Sequence, residues 1–221
     1  MKHSDDNPDW ERLRRRMVDE QIRRRGVHDP AVLDALLSIP REDFLPRGFR
    51  QHAYDDSPAP IGGGQTISQP YIVAFMTEKL MLSSRHRVLE VGTGSGYQTA
   101  VLARLAAHVF SIERDRSLHT EAKTRLAHLG LTNVSLLVGD GSVGLPEQAP
   151  FDRILITAAA PRVPAALVDQ LAENGILIVP VGGETDQTLV RVERTRRRTI
   201  ETRLLGCRFV KLVGKEGWSP L

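Results

Sequence analysis

Val88-Leu-Glu-Val-Gly-Thr-Gly-Ser-Gly-Tyr97 decides the fold: an apolar, β-rich run enters a glycine turn and leaves it as a segment of helical pattern, Gln98 to Leu105. A chain that turns tightly and brings its backbone against a ligand needs residues without a Cβ, here Gly92, Gly94 and Gly96. With Thr93 and Ser95 between them, they form a loop of the nucleotide-type cofactor class. Their spacing is G-x-G-x-G, not the G-x-G-x-x-G of a dinucleotide fingerprint, because position 97 is Tyr. The phosphate-binding pattern G-x-x-x-x-G-K-[ST] is absent from the chain.

Outward from this loop, short β-rich runs at Arg87–Val91, His108–Ile112, Val134–Val138, Arg153–Thr157 and Ile176–Val181 are separated by segments of helix length. That alternation predicts an α/β fold with a parallel, doubly wound, Rossmann-like sheet. Before residue 84 the signals are helical. Trp10, Leu13, Met17 and Ile22 recur at helical spacing with Arg12, Arg14–Arg16 and Arg23–Arg25 assigned to the wet face, and Gly26 ends the helix. Asp29-Pro30 starts a second helix, through Leu37, and Ser68-Gln69-Pro70 a third; the proline- and glycine-rich stretch Ser57–Gln65 between them reads as loop. We therefore expect N-terminal helices and a substrate-binding loop over residues 1–84, packed on an α/β body over 85–221 as one compact unit. Arg194 and Arg196–Arg198 sit between two β-rich runs and read as a charged hairpin tip.

Strand ends supply the chemistry. Glu113 lies 17 residues past Gly96 at the end of the second strand (113 − 96), where a carboxylate accepts hydrogen bonds from ribose hydroxyls, with Arg114 beside it. Gly139-Asp140-Gly141 ends the third strand and offers a carboxylate suited to an adenine amino group. Glu90, just ahead of the glycines, repels a pyrophosphate and attracts an ammonium or sulfonium, so the expected cofactor is S-adenosylmethionine.

Composition narrows the field. Apolar residues at 41% and charged residues at 26% are ordinary globular usage, which excludes a disordered or collagen-like chain. Apolar stretches such as Gly175–Gly183 fall short of a membrane span, and Met1–Asp6 has no apolar core of a signal peptide. One cysteine, Cys207, leaves no disulfide framework or thiolate zinc site and fits a reducing compartment, the cytoplasm. The net charge of +3 does not call for a nucleic-acid partner, and no aromatic residues interleave the arginines. The histidines at 3, 28, 52, 86, 108, 119 and 128 lack metal-ligand spacing, so no metal site is expected.

The sequence resembles the protein-L-isoaspartate O-methyltransferase family. The resemblance is carried by Arg41-Glu-Asp-Phe-Leu-Pro46, Ala53-Tyr-Asp-Asp56, Pro60-Ile61, Gly64-Gln-Thr-Ile-Ser-Gln-Pro-Tyr71, Val88–Tyr97, Gly139–Gly141, Phe151-Asp152 and Gly182-Gly183, and extends from about residue 10 to the C-terminus. Many methyltransferases share the glycine loop; Gly-Gln-Thr-Ile-Ser-Gln-Pro is specific to this family. The chain departs from the family pattern at Gly63, often a larger residue, and at Lys211, which stands in the C-terminal substrate wall where proline is usual.

The resemblance implies a class I methyltransferase sheet and methyl transfer from S-adenosylmethionine to the free carboxylate of L-isoaspartyl residues in damaged proteins and peptides. From the residues no membrane and no nucleic-acid partner is expected, and the oligomeric state is open, a monomer being favoured. The resemblance also implies cofactor contacts from Glu90, Gly92, Thr93, Gly94, Ser95, Gly96, Glu113, Arg114, Gly139, Asp140 and Gly141. Gln65, Thr66, Ile67 and Ser68 become the substrate loop, with Ser68 catalytic. A carboxylate with a pKa near 4 is ionised at neutral pH, so no enzymic base is required. Two alternatives stay open from the residues themselves: a methyltransferase for RNA or a small molecule, and a cofactor-binding module without catalysis. Ser68 also reads as a plain helix cap.

Overall fold

A computed structural model describes residues 8–219; Met1–Asp6, including His3, lies outside the described residues. Helix α1 (Trp10–Arg16) begins where the Asp9 carboxylate accepts from the Arg12 N–H. It runs on through a π-helical turn, Met17–Ile22, and a tight turn, Arg23–Arg25, to Gly26 at φ 91°. The arginines do not all face water as expected. Arg15 and Arg16 pair with Glu11 and Glu20 on the outside. Arg14 instead turns inward and donates to the Tyr54 hydroxyl at 2.9 Å, the Leu37 carbonyl at 3.2 Å and the Glu42 carboxylate at 3.1 Å. Helical periodicity assigns a polar residue to the outer face, but it carries no information about a buried partner 40 positions away.

Helix α2 (Pro30–Ser38) is capped by Asp29, as the Asp-Pro pair predicts. The stretch read as loop, Ser57–Gln65, holds β1 (Ala59–Gly62) and the start of β2 (Gln65–Ile67), which form a short antiparallel ribbon. Pro60 fits because a two-stranded ribbon is all edge. Helix α3 (Pro70–Lys79) follows, and its cap is Gln69 rather than Ser68, with no side chain bonded to the helix terminus. Pro70 is the first helical residue, so Ser68 stands one position too early to cap.

The main sheet comprises β3 (Arg87–Val91), β4 (His108–Glu113), β5 (Val134–Val138), β6 (Phe151–Ile156), β7 (Leu171–Gly182), β8 (Gln187–Arg194) and β9 (Thr199–Cys207), in the order β5-β4-β3-β6-β7-β8-β9. The five strands β5 to β7 are parallel; β8 and β9 extend the parallel sheet antiparallel, with the arginines of 194–198 at their turn. Helices α4 (Tyr97–Ala103) and α5 (Arg116–His128) follow β3 and β4, and α6 (Ala165–Asp169) precedes β7.

Strand alternation divides the interior. Val88, Val109, Leu155 and Ile178 pack with Met76, Leu80 and Leu102, while Leu89, Val91, Ile154 and Ile156 pack with Leu167 and Val179. The N-terminal helices bury Ile22, Leu36 and Phe44 against Tyr97 and Val101 of α4 and Leu118 and Leu126 of α5. From β3 the chain moves to β4 on one side and returns through β6 on the other. This reversal opens a crevice at the carboxyl ends of β3 and β6, the usual ligand position in such sheets.

Candidate active site

A cleft of about 380 Å³ occupies that crevice. Its floor is the turn after β3. Gly92 has φ +98°, and its N–H donates to the Ile112 carbonyl at 2.9 Å. Thr157, just past β6, donates its hydroxyl to the carbonyls of Val91 (3.0 Å) and Gly92 (2.6 Å), and a Cβ on Gly92 would run into that hydroxyl. The backbone is thus clamped between two strands, and glycine is needed here for the close approach of Thr157. Gly96 serves packing instead. It begins α4 at φ +90°, a Cβ there would lie 3.2 Å from that of Ala122 in α5, and it does not line the cleft.

Glu113 reaches the same floor from the end of β4. Its carboxylate accepts from the Gly94 N–H at 2.8 Å and the Asp115 N–H at 3.0 Å, and it lines the cleft beside Arg114 and Asp115. Each carboxylate oxygen retains a lone pair for a ribose hydroxyl. Asp115 caps α5 through the N–H groups of Ser117 and Leu118, which fixes the turn between β4 and that helix.

Two of the predicted carboxylates do not face the cleft. Glu90 shares the inward face of β3 with Val88, is fully buried, and accepts from the hydroxyls of Thr99 and Ser111. Burial pushes its pKa up to about 8, against the lowering effect of those two hydroxyls. Burial thus favours its uncharged form, and it is separated from the cleft lining. What the fold does show is a chain to the loop: the Ser111 hydroxyl that donates to Glu90 lies 2.6 Å from that of Thr93 between the glycines.

Asp140 turns to the C-terminal segment, where it accepts from the Ser142 N–H and hydroxyl and the Lys215 N–H. Burial works against its charge, but the Lys215 and Ser142 donors prevail and hold it below the usual carboxylate range. Neither Gly139 nor Asp140 lines the cleft, whereas Gly141 does; a Cβ on Gly141 would lie 2.5 Å from Val91 Cγ1.

Gln65, Thr66, Ile67 and Ser68 line the same cleft as Gly92, Thr93, Gly94 and Ser95, so two segments that sequence reading chose for different reasons meet in one cavity. Ile67 and Val73 add apolar surface, and Val210–Val213 complete the lining. That last segment is tied to Ala159, whose N–H donates to Val210 at 2.7 Å and whose carbonyl accepts from Leu212 at 2.8 Å. The Lys211 ammonium pairs with Glu184 and sits 5.2 Å from the Trp218 ring centroid. Gly63 lies against Asp115, 3.3 Å from a Cβ built on it to the carboxylate, which joins the β1–β2 turn to the cofactor side.

Thr157, Tyr97 and Gln98 also line the cleft, without having been expected as site residues. The available signal was position alone: Thr157 directly follows a strand end, and Tyr97 and Gln98 open the helix after the loop. Among the described residues no histidine lines the cleft, and no group of three potential ligands could hold a metal ion.

Comparison with known proteins supplies a family. The model for protein-L-isoaspartate(D-aspartate) O-methyltransferase matches residues 12–217. The chain is similar to a protein-L-isoaspartate O-methyltransferase of Geobacter metallireducens, 52% identical over 93% of this chain and 96% of the relative, and to one of Methanoregula boonei, 53% identical over 93% and 95%. A solved protein-L-isoaspartate O-methyltransferase superposes with a TM-score of 0.82 at 31% identity, covering 92% of this chain and 67% of that one. A Plasmodium falciparum structure described as such an enzyme in complex with S-adenosyl-L-homocysteine has a TM-score of 0.80 at 27% identity, covering 90% and 98%.

Proposed function

The chain belongs to the protein-L-isoaspartate(D-aspartate) O-methyltransferase family, and from that premise we propose how its cleft carries a methyl group from S-adenosylmethionine to the free carboxylate of an L-isoaspartyl residue in a damaged protein. The observation that carries the proposal is the meeting of Gln65–Ser68 with the glycine loop in one cavity. A binding module needs only the second of these; a transferase needs both.

The cofactor fits the residues present. The loop from Gly92 to Ser95 lines the cleft, the Glu113 carboxylate is bonded to its Gly94 N–H, and Gly141, packed without a Cβ against Val91, lines the wall beside Ile112. These residues would hold the nucleoside, Glu113 at its ribose and Arg114 alongside. When bound, S-adenosylmethionine supplies an electrophilic methyl group on a sulfonium.

The chain's own part is to bind and orient the acceptor. Its carboxylate is already ionised, so no side chain has to remove a proton, in keeping with a cleft lined by no histidine. Thr66 and Ser68 offer hydroxyls to position the carboxylate, with Gln65 beside them. Ile67, Val73 and Leu212 exclude water around a reaction in which opposite charges cancel, so desolvation and alignment supply the rate. The aspartate-peptide isomer places its carboxylate on a different carbon and does not meet the same alignment.

The single cysteine supports a reducing compartment, and we place the enzyme in the cytoplasm on that ground; among the described residues no helix is long and apolar enough to cross a membrane. Methyl transfer from labelled cofactor to paired peptides containing Asp or isoAsp, with RNA as a third acceptor, tests the proposal. Labelling of the isoAsp peptide alone is expected; equal labelling of the Asp peptide, or labelling of RNA, overturns it.

A further inference from the structure

Arg41 is 1% exposed, yet its partners are two carbonyls and an aromatic ring rather than a carboxylate. Its Nε donates to the Ala53 carbonyl at 2.7 Å and its Nη2 to the Ser68 carbonyl at 2.8 Å. The guanidinium carbon lies 4.8 Å from the Tyr97 ring centroid. Its third arm, Nη1, and the buried Tyr97 hydroxyl complete no hydrogen bond of good geometry, although the two side chains are close enough for the Arg41 charge to act on that hydroxyl. A guanidinium buried without a counter-charge is costly, and an apolar residue of similar volume would fill the space at less expense. The stability of the N-terminal core therefore does not account for a charged residue there.

Its position relative to the acceptor loop does. A peptide carbonyl presents the negative end of a dipole, and one turned into the cleft beside Ser68 would oppose an incoming carboxylate. Arg41, which is not part of the cleft lining, occupies the Ser68 carbonyl with a charged donor. It also keeps one positive charge a single peptide group behind the loop, where the low-dielectric surroundings screen it weakly. The fork geometry of the guanidinium lets one side chain hold Ala53 and Ser68 together, a task a lysine ammonium cannot reproduce.

From this we infer that Arg41, although outside the cleft lining, is the positioning residue of the acceptor wall: it sets the Ser68 peptide so that the Ser68 hydroxyl can meet the isoaspartyl carboxylate. The inference rests on the assignment of Ser68 to the acceptor side. Arg41→Lys retains the charge and loses the fork, and Arg41→Met retains only the volume.

Kinetics with an isoAsp peptide at saturating cofactor, calorimetric cofactor binding and thermal melting are to be measured on Arg41→Lys, Arg41→Met, Ser68→Ala and the Arg41→Lys/Ser68→Ala double variant. Val27→Ala, a change in the N-terminal core, serves as the stability control. Arg41→Lys should lower kcat/KM for the isoAsp peptide by about ten- to a hundredfold, the scale of a small misplacement in a reacting pair, with cofactor affinity near the unmutated value. Val27→Ala should lower the melting temperature without a comparable loss of kcat/KM. In the double variant the two losses should be markedly less than multiplicative, because Ser68 misplaced by the first change has little left to lose. If Arg41→Met does not fold, the Lys variant alone decides. Unimpaired turnover in Arg41→Lys beside an impaired Ser68→Ala, or losses that multiply in full, overturns the inference and leaves the assignment of Ser68 intact. A silent Ser68→Ala overturns that assignment and the inference with it.

Discussion

The two walls of the cleft are built by different means. On the cofactor side, the turn from Val91 to Gly96 is held by its own neighbours in the sheet: Ile112 on β4, Thr157 after β6, and the Glu113 carboxylate on Gly94. On the acceptor side, Gln65–Ser68 leaves a two-stranded ribbon that lies outside the main sheet and is held by side chains from distant segments. Arg41 binds the Ser68 carbonyl, and Gln69 donates to Asp56, which in turn pairs with Arg25. Backbone rigidity makes the first wall and imported polar contacts make the second. Substitutions in the first should therefore register as lost cofactor affinity, and those in the second as lost turnover.

The largest effect that would sharpen this contrast is expected at Gly92. An alanine there meets both the left-handed backbone and the Thr157 hydroxyl, at a cost of about 2–4 kcal/mol to be divided between folding and cofactor binding. Calorimetric titration and thermal melting on Gly92→Ala should show both losses; unchanged values in both would break the picture of a rigid floor. Next comes Glu113→Ala, expected to weaken S-adenosylmethionine by about 1.5–3 kcal/mol through lost charged hydrogen bonds. Unaltered affinity in a titration would remove Glu113 from the cofactor wall.

Glu90 gives a smaller, pH-dependent effect. Burial raises its folded pKa to about 8 from an ordinary value of 4.5, so between those values the folded chain holds a proton that the unfolded chain has released. Its contribution is full below pH 4.5 and is lost as pH rises toward 8. Glu90→Gln should flatten that part of the melting-temperature profile, and parallel profiles for the two proteins from pH 5 to 8 would contradict the assignment. The smallest effect concerns the histidines. Replacing each by glutamine should leave turnover within a few-fold, and a hundredfold loss at any one, with the circular dichroism unchanged, would show that the acceptor wall needs a base after all.

The same contrast explains what could be read in advance. The strand–turn–helix after Val88, the strand-end acid Glu113 and the α2 cap depend on residues a few positions apart or on a regular strand–helix rhythm, and each lies where its pattern placed it. Gln65–Ser68 was legible only through its resemblance to a family motif, since loop residues have no periodicity of their own. Glu90 sits away from the cleft lining because alternation along β3 gives the cleft its neighbour Val91 and turns Glu90 to the face of Val88, both faces of this central strand being buried. Arg14 and Arg41 were beyond such reading. A basic residue in a helical or turn pattern defaults to solvent, and only the folded chain brings Tyr54 and Glu42 to the one and Ala53 and Ser68 to the other.

The division of labour between the walls is tested most directly by a crossed measurement on two variants, Glu113→Ala and Ser68→Ala, each assayed for S-adenosylmethionine Kd and for turnover of an isoAsp peptide at saturating cofactor. Gln69, not Ser68, occupies the cap of α3, so Ser68→Ala should also melt close to the unmutated protein. The account predicts that Glu113→Ala loses affinity and retains most of its saturated turnover, while Ser68→Ala retains affinity and loses turnover. Loss of both quantities in both variants, or unaltered turnover in Ser68→Ala, would contradict it.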